Sequence, residues 1–140
     1  SSTSDLNNYV VGADNASGFF ALILRNNVKY FKITNTSTAY EAAGYSGALS
    51  TSGFFVGTQD ASNTKLFRNN TNIAQNSATD NNPRIGAQVY IGCSNSYSSA
   101  QAYTTSESAF ASIGDGLSDA EAANFYTAVQ SYNTTLNRQV

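Results

Sequence analysis

The sequence predicts an all-β sandwich closed by a single C-terminal helix. Two observations point to the sheets. Apolar and polar residues alternate in short runs, the period of a half-buried strand, and Asn, Ser, Thr and Gly break these runs at close intervals. A third points to the helix: in "LSDAEAANFYTAVQSYNTTLNRQV" the apolar spacing changes to about 3.6. At 140 residues the chain reads as one domain, able to bury roughly two thirds of its unfolded surface.

The first strand pair is "GFFALILR" (18–25) and "VKYFKIT" (28–34), with Asn26-Asn27 between them. Asn tolerates positive φ, so a two-residue hairpin turn is expected there. In the second strand Val28 and Tyr30 share one face, and Lys29 joins Phe31 and Ile33 on the other. Residues 53–59, 64–69 and 72–78 read as a three-stranded meander with short polar turns. "TDNNPR" is a loop, where Pro83 removes no ladder hydrogen bond. "GAQVYIGCS" (86–94) is the most apolar strand and is expected to be central. "NSYSSAQAYTTSE" reads as a longer loop, and "SAFASIG" (108–114) as the last strand.

The helix is expected over 119–137. Ser118 and Glu121 have the spacing of a capping box, and Asp119 and Glu121 suit the positive end of the helix dipole. Ala122, Phe125, Tyr126, Val129, Tyr132 and Leu136 form one apolar stripe, to be laid across a sheet or its edge.

Charged residues make up only 11% of the chain, whereas Ser, Thr and Asn together exceed a third. Such a surface favours hydrogen bonding over electrostatic steering. The net charge is −2, and the seven Lys and Arg do not cluster. Nucleic acid is therefore not an expected partner, since tight binding needs phosphate-neutralising cations. No apolar run approaches the ~20 residues of a membrane span. The chain starts at Ser1, and we expect it to be a processed or excised piece of a longer polypeptide. Cys93 is the single cysteine, in an apolar run, and reads as a buried structural thiol.

Catalysis is not expected. Histidine is absent from the chain, which removes the Ser-His-Asp and Cys-His arrangements. The glutamates Glu41, Glu107 and Glu121 are isolated from one another, and "GDG" (114–116) lacks the Lys-Ser/Thr of a phosphate loop. Asp14-Asn15, Asp60, Asp80-Asn81 and Asp115 lie in expected turns, where turn chemistry and calcium ligation both use Asp and Asn. Calcium is the one cofactor left open, with no metal ligands assigned.

The order of these pieces resembles the concanavalin A-like, laminin-G-like jelly-roll superfamily. The resemblance lies in Leu66-Phe67-Arg68-Asn69-Asn70 as a hairpin turn and in Tyr90-Ile91-Gly92-Cys93-Ser94-Asn95 as a strand end. It continues through Ile113 to Arg138 as the closing strand and helix. It covers residues 50–138 well and the first fifty loosely, and is nearest to bacteriophage structural and appendage proteins. Complete domains of this kind carry earlier strands that the chain lacks. The expectation is thus the C-terminal part of a larger polypeptide, or pairing supplied by a neighbouring chain.

The resemblance implies a jelly-roll sandwich and a non-enzymatic virion domain: a phage fibre, head fibre or capsid decoration. Such a domain serves assembly and adhesion to host glycans, with other virion proteins as partners and a homo-oligomer, a trimer by analogy, as its state. Relatives that hydrolyse glycans carry an E-x-D-x-x-E strand, which is missing here. The alternative is a secreted, extracellular bacterial carbohydrate-binding module of a larger enzyme or adhesin. For glycan binding the expected residues are Asn95, Tyr97, Gln101 and Tyr103, two aromatic platforms beside two amides. Tyr40 and Tyr45 form a second patch. The same tyrosines could instead anchor their loops, rings inward.

Overall fold

A computed structural model describes residues 8–16, 18–25, 28–34, 43–77 and 86–138. The Asn26-Asn27 turn, Tyr40, and the loop with Asp80, Asn81 and Pro83 lie outside them. Among the described residues the chain is mostly β, with two sheets and one helix.

β1 (Tyr9–Asn15), β2 (Gly18–Leu24), β3 (Val28–Thr34) and β4 (Ala43–Ser46) form an antiparallel meander. β5 (Phe55–Gln59), β6 (Thr64–Arg68) and β7 (Thr71–Asn76) form a second, separate meander. The chain then returns to the free side of β1. β8 (Tyr90–Ile91) pairs with it antiparallel, β9 (Ser94–Ser96) parallel, and β10 (Ser99–Gln101) adds to β9.

The two sheets stack through one core. Register aligns Val11, Leu22 and Phe31 in one row and Ala13, Phe20 and Ile33 in the next. Paired residues share a face. Phe20, Leu22, Phe31 and Ile33 of that face pack with Phe55, Leu66, Ile73 and Ala74 of the small sheet. The Phe20 and Phe31 rings meet edge to face at 5.8 Å. Ile73 enters this core because a register shift between Leu66 and Phe67 leaves it as an extra residue on β7. Gly57 lies directly under Phe31: a Cβ there would overlap the ring, so the absence of a side chain permits the close approach.

α1 (Asp119–Thr135) covers the other face of the small sheet. Strand alternation explains how β5 serves two layers. Phe55 and Gly57 face the large sheet, whereas Val56 packs with Phe67 and Ala122 beneath the helix. Phe54, Phe110 and Phe125 close this layer, with centroids 5.5 Å apart for Phe54–Phe125 and 5.9 Å for Phe110–Phe125. Thr58 Oγ1 accepts from Leu117 N at 2.6 Å and donates to Leu117 O at 3.0 Å, which fixes where the helix begins. The capping box is formed: Ser118 N donates to Glu121 Oε2 at 2.8 Å, and Glu121 N donates to Ser118 Oγ at 3.4 Å. Asp119 adds an ion pair to Lys65.

Several expectations are corrected. β1 and β4 are strands that were not foreseen. The run 86–94 is not one central strand: Gly92 takes φ +82°, so only Tyr90–Ile91 and Ser94–Ser96 join ladders. Residues 108–114 form no strand. Their alternation reflects Phe110 reaching the Phe54–Phe125 cluster rather than a ladder. The helix ends at Thr135, not 137. Asn137, at φ +52°, lets Arg138 N donate to Asn133 O and Asn137 N to Thr134 O, a Schellman closure. The stripe also turns away from the sheet: Tyr132 and Leu136 are exposed, and the buried line runs from Val129 to Asn133. No helix among the described residues is long and apolar enough to cross a membrane.

Candidate functional site

The residues expected to bind a ligand sit on or beside one tight hairpin. Ser96 pairs with Ser99, leaving Tyr97-Ser98 as a two-residue turn with φ +50° and +70°. Two consecutive positive φ values are the type I′ pattern, whose twist matches the flanking strands. Asn and Gly take it easily, whereas left-handed backbone costs other residues about 1–2 kcal/mol each. Ala102, at φ +53°, adds a third such residue just after β10.

The hairpin is tied down on several sides. Tyr97 N donates to Asp14 O at 3.2 Å, Gly92 N to Val10 O at 2.8 Å, and Thr104 N to Gly92 O at 2.8 Å. Tyr97 nonetheless remains 67% exposed and Tyr103 62%. The Tyr103 hydroxyl donates back to Ala100 O at 3.2 Å. The backbone of the turn is thus braced, while the Tyr97 ring stands out from it.

Register separates the two expected amides. Gln101 pairs with Ser94 and shares a face with it, and Gln101 is exposed. Asn95 pairs with Ala13 and Ala100, points to the opposite face and is buried. Its Nδ2 donates to Gln88 O at 2.7 Å, so Asn95 braces the segment before β8 and lies beneath the hairpin. Tyr97, Gln101 and Tyr103 thus reach the surface and Asn95 does not. Of the second patch, Tyr45 is half-buried on β4, with its ring packed over Gly47.

The acidic groups have varied surroundings. Asp60 accepts from Ser62 N at 2.7 Å and Asn63 N at 2.8 Å, and these two bonds lower its pKa. That is turn chemistry. Glu121 is engaged in the capping box, where the bonds from Ser118 hold its carboxyl below the ordinary value. Asp14 lies in β1, not in a turn, and its Oδ1 is buried without a hydrogen-bond partner. The sequence placed Asp14 in a turn, and only the pairing of β1 with β9 puts it in a ladder. Among the described residues no group of three His, Cys, Asp or Glu gathers where a metal ion could sit.

Lys29 is the unusual group of the interior. It is fully buried on the core face of β3, paired with Leu24 and Tyr45. Burial lowers its pKa, and the positive charge of Arg68 lowers it further. Cys93 is a buried free thiol. Near the hairpin, the chemistry on offer is stacking against tyrosine and hydrogen bonding to hydroxyls, one amide and one carboxylate. No family model matches the chain, and neither a curated protein nor a solved structure does.

Proposed function

We propose that this chain is a non-catalytic adhesion and assembly domain of a bacteriophage virion, as a fibre, head fibre or capsid decoration. It would present the β9–β10 hairpin to glycans on a host surface. The observation that carries the reading is Tyr97: a bulky ring at φ +50°, 67% exposed, on a turn braced from β1. Strained backbone under an exposed aromatic is a pattern met at recognition sites. Tyr103 and Gln101 stand close in sequence and are also exposed. Sugars are bound by such pairings of an aromatic face with neutral hydrogen-bonding groups.

A jelly-roll lineage belongs to the same proposal. Its support is the succession of the β6–β7 hairpin with Asn69 at φ +55°, the Gly92 strand break and the capped helix. The two successive meanders, β1–β4 and β5–β7, are not in themselves a Greek key. Homo-oligomerisation fits the exposed Ile113, Tyr132 and Leu136, since apolar and aromatic residues are enriched at the cores of subunit interfaces.

Light scattering on the purified chain over a range of concentrations tests the assembly half. A stable oligomer, trimeric by analogy, is the expected result. A folded monomer at every concentration would overturn self-assembly and strand pairing supplied in trans, and favour a secreted carbohydrate-binding module.

A further inference from the structure

We infer that Asp14, Ser96 and Ser99 form a hydroxyl-binding subsite for a neutral sugar, beside Tyr97 on the face of the large sheet turned away from the small one. The inference rests on the adhesion reading and supplies the polar half that it requires.

The three residues stand in one row. Ser96 of β9 lies opposite Asp14 of β1 on one side and Ser99 of β10 on the other. Their side chains therefore leave the same face at intervals of about 4.8 Å, the spacing between strands. The adjacent row holds Gly12, Ser94 and Gln101. The opposite face carries Ala13, Asn95 and Ala100, so this row is independent of the core that Phe20 and Phe31 build.

Two atoms of these rows lack what a native interior normally provides. Asp14 Oδ1 and Ser94 Oγ are both shut off from solvent without a hydrogen-bond partner, and Ser94 is only 3% exposed. Roughly nine in ten buried polar groups find a partner. Two orphans in neighbouring rows of one face mark a place short of donors. An ionised carboxylate only accepts, whereas a serine hydroxyl donates and accepts. A row of one carboxylate and two hydroxyls therefore matches a ligand that offers several hydroxyls at once. One carboxylate with two hydroxyls is a poor cage for calcium, which takes 6–8 oxygen ligands, several of them usually charged. A neutral polyol suits the row better, with Tyr97 supplying an apolar face to its C–H groups.

The test uses the whole chain, a panel of methyl glycosides of common hexoses, deoxyhexoses and N-acetylhexosamines, and amide NMR spectra recorded in EDTA. We expect at least one glycoside to shift the amides of Ser96, Tyr97 and Ser99. Asp14→Asn should weaken that glycoside about ten- to a hundredfold, the range for a hydrogen bond to a charged group. Ser99→Ala, at an exposed position, reads the same row should Asp14→Asn fail to fold. Unchanged affinity in both variants overturns the subsite and leaves adhesion standing. A wild-type chain that answers to no glycoside, or only when calcium is restored, overturns the subsite together with direct glycan recognition.

Discussion

Gly57→Ala is the substitution most informative about the stacking of the sheets. A Cβ on Gly57 would overlap Cγ and Cδ2 of Phe31 and stand 2.8 Å from its Cβ. Phe31 is 5% exposed and packed between Phe20 and Leu66, so its ring has little room to retreat. Overpacking of this kind costs typically about 1–3 kcal/mol. Replacing glycine in a strand returns roughly 0.5–1 kcal/mol at most, so the net loss is about 1–2 kcal/mol. With an unfolding entropy near 2 cal/mol/K per residue, a chain of this length loses about 3 °C of Tm per kcal/mol. Urea unfolding gives the free energies. Phe31→Ala alone should cost about 3–5 kcal/mol, but in that background Gly57→Ala should cost nothing, because its methyl enters the space the ring vacated. The expected coupling is therefore about 1–2 kcal/mol in favour of the double variant. Strict additivity, or a Gly57→Ala protein as stable as wild type, would refute the packing of β5 against β3.

Two further expectations concern charge and capping. Ser118→Ala should lose about 1 kcal/mol, the usual cost of an N-cap, and raise the Glu121 titration back towards its ordinary 4.5, read by NMR. Because the folded-state value of Glu121 is depressed, its contribution is present above 4.5 and fades as pH falls through the depressed value. Lys29 has the same sign at alkaline pH. Its folded-state pKa lies below the ordinary 10.5, so the unfolded chain binds the extra proton between the two values and stability should rise with pH across that window. The slope for one proton is no steeper than about 1.4 kcal/mol per pH unit, and Lys29→Met should abolish it. Above pH 10 Tyr9, whose pKa is raised mainly by burial, opposes this trend, so urea midpoints below 10 are the ones to compare.

Much of the scaffold was legible because its signals are local. Alternation located β2, β3 and β5–β7, and the Ser-x-x-Glu spacing placed the start of the helix to the residue. What escaped depended on partners far along the chain. β1, "YVVGADN", carries adjacent valines and a glycine instead of clean alternation, and becomes a strand by pairing on both sides. Residues 108–114 alternate well but meet no ladder. The exposure of Tyr132 follows from geometry: a line through Val129 at helical spacing passes through Asn133, polar though it is.

The site was legible in part for a similar reason. Tyr97, Gln101 and Tyr103 were chosen by residue type alone, and all three are exposed. The turn at Tyr97-Ser98 lacks the Asn-Gly signature that would have announced it, so the hairpin read as a loop. Without that turn the parity of Asn95 and Gln101 is undefined. With it they fall on opposite faces, and Asp14 lies on the face that Gln101 shares.

A glycan array probed with the wild-type chain and with the Tyr97→Ala/Tyr103→Ala variant tests whether the β9–β10 hairpin recognises glycans. Both side chains are largely exposed, so the variant should stay folded. Wild type should bind a small set of glycans selectively, and the variant should lose that binding by tenfold or more, about 1.4 kcal/mol or more. Equal binding by the two proteins, or no glycan bound by wild type, would contradict it.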